Sequence, residues 1–97
     1  MKKVRVGLIG IGGICKIANM RGYALMEDVE IVAISDIQPQ KMEEFKKLYG
    51  MPDVPCYTDY KELLKNEQVD YVDICTPNYL RSVIAVDALN SGVHITL

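Results

Sequence analysis

The chain has 97 residues, of which 49% are hydrophobic and 25% are charged, and its formal net charge is −2. A chain of this size forms one small domain, and this composition is typical of a folded soluble domain rather than a disordered one. The balance of basic and acidic residues excludes the clustered positive charge that nucleic-acid binding requires.

The amino terminus superficially resembles a secretory signal, because Met1-Lys2-Lys3 precedes apolar residues. Arg5 interrupts the apolar run, and glycines at positions 7, 10, 12 and 13 are unsuited to a membrane-inserting helix. No segment has the ~18 consecutive apolar residues that a membrane span needs. We therefore expect no membrane partner and a cytoplasmic location.

The three cysteines, Cys15, Cys56 and Cys75, lie far apart and form no Cys-x-x-Cys pair. Their odd number does not suggest a disulfide framework, and with the single His94 they do not approach the spacing of metal ligands. We expect small buried thiols and no metal site.

Strands and helices are predicted to alternate along the chain. The first apolar run ends in glycines, and residues 30–36 contain four apolar residues in succession, which is typical of a strand covered on both faces. The predicted strands are residues 4–9, 30–36, 56–57, 69–75 and 93–97.

Four helices are predicted between these strands, each from apolar residues at helical spacing. Pro39 suits the first turn of the second helix, and Gly50 and Gly92 end the second and fourth helices. Thr58 and Asp59 offer the third helix an N-cap and a favourable charge. The predicted buried stripes are Ile14, Ile17, Met20 and Ala24; Met42, Phe45 and Tyr49; Leu63 and Leu64; and Leu80, Ile84 and Ala88.

This alternation predicts the fold class. Strands that alternate with helices imply a parallel sheet with right-handed crossovers, hence an α/β fold with a doubly wound, Rossmann-type sheet of five strands. Residues 1–97 then form one dinucleotide-binding domain. Because the sequence stops on Ile95-Thr96-Leu97, we expect this domain to be truncated in its fifth strand.

The run Gly10-Ile11-Gly12-Gly13-Ile14-Cys15 lies between the first strand and the first helix. Gly10 lets the chain turn sharply, and Gly12 lets the backbone approach a pyrophosphate at the helix N-terminus. The last position of the pattern is usually Gly or Ala, and the small Cys15 occupies it here. Asp36 ends the second strand, 21 residues after Cys15, where an acid accepts hydrogen bonds from ribose hydroxyls. Together these residues predict a dinucleotide site.

Asp36 also favours one cofactor, because its carboxylate would repel the 2′-phosphate of NADP. No Arg or Lys lies in Ile37-Gln38-Pro39-Gln40 to neutralise that phosphate. NAD is therefore the predicted cofactor, with NADP less favoured. The alternative is that the glycine turn and the acid have purely topological roles.

Thr76-Pro77-Asn78 is a second candidate binding segment. It follows the fourth strand, at the edge where open α/β sheets bind ligands, and its Thr and Asn offer hydrogen-bonding groups toward a nicotinamide ribose. The alternative is that it merely begins the next helix. Asp73, inside the fourth strand, is expected to satisfy loop N–H groups.

Taken together, these segments resemble the glucose–fructose oxidoreductase / inositol dehydrogenase family (Gfo/Idh/MocA). The run Asp73-Ile74-Cys75-Thr76-Pro77-Asn78 is the most specific of them. The others are residues 6–14, Ser35-Asp36, Tyr57-Thr58-Asp59-Tyr60 and Gly92-Val93-His94.

The resemblance implies an N-terminal Rossmann domain that binds NAD or NADP, followed by a larger α+β domain that shapes the substrate site. It also implies an oligomer that oxidises or reduces a carbinol carbon of a sugar, polyol or related compound. By the same resemblance, the pyrophosphate is lined by Gly10, Gly12, Gly13 and Ile14, the adenosine ribose is held by Asp36, and the nicotinamide side is lined by Thr76, Pro77 and Asn78.

The chain departs from the family at two points. Arg81 stands where the family often has His, and the family's Glu-Lys-Pro motif, expected after Leu97, is absent from the chain. That motif carries the lysine used beside the reacting carbon, so no catalytic residue is assigned and the small-molecule substrate is expected only in a full-length protein. A non-enzymatic nucleotide sensor or interaction module remains an alternative. Cys15 and the Thr-Pro-Asn loop argue against a methyltransferase that binds S-adenosylmethionine.

Overall fold

The computed structural model describes residues 3–11, 20–23, 25–76 and 78–96, apart from the side chains of residues 78, 79 and 96. Most of the predicted first helix, including Ile14, Ile17 and Ala24, lies outside these ranges, as does Leu97. Within them, residues 20–23 are helical and Met20 is buried as predicted.

The strands form one parallel sheet. In the described ranges they are β1 (Val4–Ile9), β2 (Val29–Ser35), β3 (Cys56–Tyr57), β4 (Tyr71–Ile74) and β5 (His94–Thr96). Their order across the sheet is β3-β2-β1-β4-β5, and each neighbouring pair is parallel. The chain moves outward from β1 to β3 and then returns to place β4 on the other side of β1. This reversal defines a doubly wound α/β sheet and confirms the predicted fold class.

The helices that connect these strands are α1 (Pro39–Leu48), α2 (Tyr60–Asn66) and α3 (Asn78–Asn90). Pro39 occupies the first turn of α1, where its missing N–H costs nothing. Asp59 is the N-cap of α2, because its carboxylate accepts a hydrogen bond from the Lys61 N–H at 2.9 Å. The predicted helix starts therefore agree with the structure.

Hydrophobic side chains cover both faces of the sheet. Because side chains alternate along a strand, Val6 and Leu8 of β1 face one side and Ile9 faces the other. Helices pack on both sides, so the open edge at the strand ends is left for ligands. The first core cluster is Val6, Leu8, Ile11, Met20, Ile34, Met42 and Phe45, and the second is Ile9, Val72, Ile74, Ile84, Ala85, Ala88 and Val93.

The predicted buried stripe of α3 is wrong at one position. Ile84 and Ala88 are buried, but Leu80 is 37% exposed. An α-helix has 3.6 residues per turn, so positions spaced by four drift around it by about 40° per step. Ala88, which lies between Ile84 and Ala85 around the helix, marks the centre of the buried face, and Leu80 lies at its margin.

Gly7 brings α2 close to the centre of the sheet. A Cβ at Gly7 would lie 3.1 Å from Leu63 Cδ2 and 3.4 Å from Val69 Cγ1. Leu63 is fully buried, so its side chain fills the space beside the glycine. The packing of α2 on β1 therefore depends on a small residue at position 7 and a large one at position 63.

We predict that Leu63→Ala lowers the free energy of unfolding by about 2–5 kcal/mol, because it leaves a cavity under α2. Gly7→Ala should destabilise the unaltered chain but cost less in the Leu63→Ala background, where the added methyl group has room. The difference between the two backgrounds should exceed ~0.5 kcal/mol in urea unfolding. Strictly additive effects would contradict this account of the contact.

Candidate functional site

Three of the predicted site residues lie at one edge of the sheet. Ile9, the last residue of β1, pairs with Ser35 of β2 and with Ile74 of β4. The residues that follow these strand ends, Gly10, Asp36 and the segment 75–76, are therefore brought together. This is the carboxyl edge next to the reversal of strand order, where doubly wound sheets bind ligands.

Gly10 begins the turn after β1. Its φ is +82°, a left-handed conformation that residues with a side chain rarely adopt. A Cβ at this position would lie 2.8 Å from Cys75 O and 2.8 Å from Thr76 Cγ2. Two features therefore require glycine at position 10: the left-handed turn and the close approach of the chain that leaves β4.

Asp36 holds the glycine turn against the end of β2. Its Oδ2 accepts a hydrogen bond from the Ile11 N–H at 3.2 Å, and its Oδ1 accepts one from the Gln38 N–H at 2.9 Å. A carboxylate has about four lone-pair positions, so two remain available for the hydroxyls of a ligand. The sequence predicts a ligand role for Asp36 but gives no sign that it also organises the turn.

Thr76 and Arg81 carry polar atoms that the structure leaves unsatisfied. Thr76 Oγ1 and Arg81 Nε are both buried, and within the described ranges neither has a hydrogen-bond partner. Arg81 Nη2 donates to Thr76 O at 3.4 Å, which joins the two residues. Buried polar atoms are rarely left without a partner, so this edge of the sheet fits a polar ligand.

Tyr23 and Asp73 form a buried polar contact behind the site. The Tyr23 hydroxyl donates to Asp73 Oδ2 at 2.8 Å, and Asp73 is fully buried. Burial, followed by this hydrogen bond, raises the pKa of Tyr23 above its ordinary value, so the hydroxyl stays a donor. The contact joins the helical residues 20–23 to β4. The sequence does not predict the tyrosine hydroxyl as a donor to Asp73, and the loop N–H donors expected for this carboxylate stay a prediction.

Several predicted site residues lie outside the described ranges: Gly12, Gly13, Ile14, Cys15 and Pro77. Asn78 is the first residue of α3, and its side chain is not described. Asn78 thus begins the next helix, and a binding role for Thr76, Pro77 and Asn78 stays a prediction.

The described residues contain neither a cluster of metal ligands nor a membrane-spanning helix. They contain no group of three or more His, Cys, Asp or Glu that could hold a metal ion. None of the helices in these ranges is long and apolar enough to cross a membrane. Burial raises the pKa of the Cys56 thiol, which makes it a poor nucleophile.

A doubly wound parallel sheet with a left-handed glycine after its first strand and an acid after its second is typical of a nucleotide-binding Rossmann domain. More specifically, the chain belongs to the Gfo/Idh/MocA family. The sequence profile of that family, described as an oxidoreductase family with an NAD-binding Rossmann fold, matches residues 4–97.

Known proteins resemble the chain over nearly its whole length. It is 35% identical over 101 residues to a glycosyl hydrolase family 109 protein from Shewanella pealeana, covering 97% of this chain and 22% of that protein. It is 27% identical over 92 residues to the myo-inositol 2-dehydrogenase of Thermotoga maritima, covering 95% of this chain and 27% of that protein.

The same fold occurs in the scyllo-inositol dehydrogenase of Lactobacillus casei, solved with bound NAD(H) and scyllo-inositol. The TM-score is 0.84 at 22% identity, covering 97% of this chain and 27% of that one. The chain thus spans about a quarter of the length of these relatives.

We predict that Gly10→Ala lowers the free energy of unfolding by about 2–5 kcal/mol, from its left-handed backbone and from overpacking against residues 75–76. Gly50→Ala is a matched control, because Gly50 also has a positive φ, +65°, but nothing lies within 4 Å of its added Cβ. It should cost only about 1–2 kcal/mol. Equal losses for the two variants in urea unfolding would show that the contact with residues 75–76 has no energetic weight.

Proposed function

We propose that this chain is the NAD-binding portion of an oxidoreductase that transfers hydride between a nicotinamide cofactor and a CH–OH group of a sugar, polyol or related compound. One observation carries the binding part of this proposal. Gly10, Asp36 and Thr76 converge at the carboxyl edge of the sheet, in a chain of an NAD-binding oxidoreductase family.

Each group of site residues has a proposed role. The proposed pyrophosphate contacts are the backbone at Gly10 together with Gly12, Gly13 and Ile14. Asp36 would bind the hydroxyls of the adenosine ribose through the lone pairs that its contacts with Ile11 and Gln38 leave available. Thr76, Pro77 and Asn78 would lie along the nicotinamide side, where the unsatisfied hydroxyl of Thr76 supports a polar contact.

The acid at position 36 supports NAD over NADP as the cofactor. Its oxygens already accept hydrogen bonds from the backbone N–H groups of Ile11 and Gln38, which fix the carboxylate at the edge of the sheet where the proposed ribose would bind. A 2′-phosphate placed there would meet a negative charge, and residues 37–40 contain no basic side chain to offset it.

Bound NAD would supply the hydride acceptor, and the residues of this chain would bind and orient the nicotinamide. We propose that the proton acceptor and the substrate site lie in the remainder of a longer protein, as the Glu-Lys-Pro motif of the family implies. That protein would be a homo-oligomer, which the same resemblance implies.

A second candidate activity comes from the relative that is 35% identical to this chain, which is named a glycosyl hydrolase. Hydrolysis of a glycoside by the longer protein is therefore an alternative to net oxidation of a carbinol. The name myo-inositol 2-dehydrogenase, borne by another relative, supports net oxidation.

We predict that the chain binds NADH with one site and prefers it to NADPH by at least about tenfold. Asp36→Ala should weaken NADH binding by about tenfold to hundredfold, because it removes hydrogen bonds to a charged group. It should also reduce the ratio of the NADH affinity to the NADPH affinity. A general loss of stability would not change that ratio. The exposed Asp53→Ala serves as the control and should leave both affinities unchanged. Fluorescence titration of both dinucleotides measures these affinities, and absence of NADH binding at millimolar cofactor would refute the proposal.

The two candidate activities are separated by the fate of the cofactor in the full-length protein. We predict that reduced cofactor accumulates in proportion to the sugar or polyol that is consumed, as followed by its absorbance. Release of nitrophenol from nitrophenyl glycosides without net cofactor reduction would favour the hydrolase. Dinucleotide binding without either reaction would favour a nucleotide sensor.

A further inference from the structure

Arg81 lies in the first turns of α3, close to the carboxyl edge of the sheet. It is half-buried, and its guanidinium donates one long hydrogen bond within the described ranges, to Thr76 O at 3.4 Å. Its Nε is buried and, within the described part of the chain, has no hydrogen-bond partner. Most of the five N–H donors of this side chain therefore have no hydrogen-bond partner among the described residues.

No carboxylate in the described ranges forms an ion pair with Arg81; the ion pair found there joins Lys46 and Glu43 on α1. A guanidinium keeps its charge at every pH at which proteins fold. Removing such a charge from water without an opposite charge is unfavourable. Arg81 thus places at the carboxyl edge of the sheet a half-buried positive charge that no carboxylate in the described ranges neutralises.

A second unsatisfied group lies beside it. Thr76 Oγ1 is buried without a partner in the described ranges, and the backbone oxygen of the same residue accepts the bond from Arg81. The methyl group of Thr76 lies against the glycine turn, because a Cβ on Gly10 would be 2.8 Å from Thr76 Cγ2. Two unsatisfied groups, one charged and one neutral, therefore occur together next to the predicted pyrophosphate turn.

From this arrangement we infer that Arg81 and Thr76 form an anion-binding position whose ligand is a pair of negatively charged oxygens on a carboxylate or phosphate. The planar guanidinium matches such a pair with two parallel hydrogen bonds, and the threonine hydroxyl adds a third donor. This inference rests on the proposed function of the edge as a dinucleotide site. The ligand has two possible sources, the diphosphate of the cofactor and an anionic group of the substrate.

The unfolding temperature of the ligand-free chain distinguishes an arginine that only packs against its neighbours from one that binds an anion. Loss of packing would lower the unfolding temperature of the ligand-free chain. Removal of an uncompensated charge would leave that temperature unchanged or raise it, as substitutions at binding sites often do. The ligand-free stability of Arg81→Gln therefore tests the inference without any ligand.

The experiment compares the unaltered chain with Arg81→Gln and Arg81→Lys. Arg21→Gln is the matched control, because Arg21 carries the same charge on the exposed side of residues 20–23. Each protein is titrated with NADH, with adenosine diphosphoribose, which keeps the diphosphate but lacks the nicotinamide, and with malonate as a small dicarboxylate. Fluorescence and calorimetry measure the dinucleotides, and thermal unfolding measures the protection given by malonate.

If the diphosphate is the ligand, Arg81→Gln weakens NADH and adenosine diphosphoribose alike, by about tenfold to hundredfold. If a substrate anion is the ligand, both dinucleotides bind as before and the protection by malonate is lost. In either case Arg81→Lys recovers only part of the effect, because an ammonium group lacks the paired donors, and Arg21→Gln changes nothing.

Two results would overturn the inference. One is that Arg81→Gln changes neither dinucleotide affinity nor malonate protection by more than twofold. The other is that its ligand-free unfolding temperature falls by more than about 4–8 °C, the shift expected from lost packing in a chain of this size. Failure of the unaltered chain to bind NADH would instead refute the proposed function, and the malonate measurements would still decide the role of Arg81.

Discussion

The site depends on the close contact between the turn after β1 and the chain that leaves β4. Gly10 lies against the backbone of Cys75 and the methyl group of Thr76 so closely that a Cβ would be only 2.8 Å from each. Two hydrogen bonds join the strand ends beside this contact. Gly10 N–H donates to Ser35 O, and Cys75 N–H donates to Ile9 O. Because three strand ends are fixed together in this way, the segments that follow them meet at one edge of the sheet without a long loop.

Around this contact, buried polar groups do most of the positioning. Asp36 holds the turn from the β2 side, and the Tyr23–Asp73 hydrogen bond holds the helical residues 20–23 on β4. Each of these hydrogen bonds links residues more than 20 positions apart in the sequence. Each therefore joins elements that are distant along the chain. Thr76 and Arg81 differ from them, since their unsatisfied atoms stabilise nothing in the described protein.

Much of the fold follows from local patterns in the sequence. The strands at 4–9 and 56–57 have the predicted bounds, and the stops after α1 and α3 fall near Gly50 and Gly92. Leu80 is exposed because the drift of a helical stripe depends on where the helix meets the sheet, which spacing alone does not give. The contact between Tyr23 and Asp73, the bond from Ile11 N–H to Asp36 and the unsatisfied atoms at Thr76 and Arg81 depend on residues brought together by the fold. The sequence therefore predicts where the edge lies but not how its polar atoms are divided between protein and ligand.

The backbone hydrogen bonds that Asp36 accepts have a consequence for a change of cofactor in such a domain. Accepting a 2′-phosphate would require a neutral or basic residue at position 36, yet the same carboxylate holds the amides of Ile11 and Gln38. The substitution that changes cofactor specificity would therefore also leave these two backbone N–H groups without their acceptor. A substitution at position 36 would therefore act on the turn as well as on a bound dinucleotide, so a change of cofactor without loss of stability would call for a second substitution in the turn.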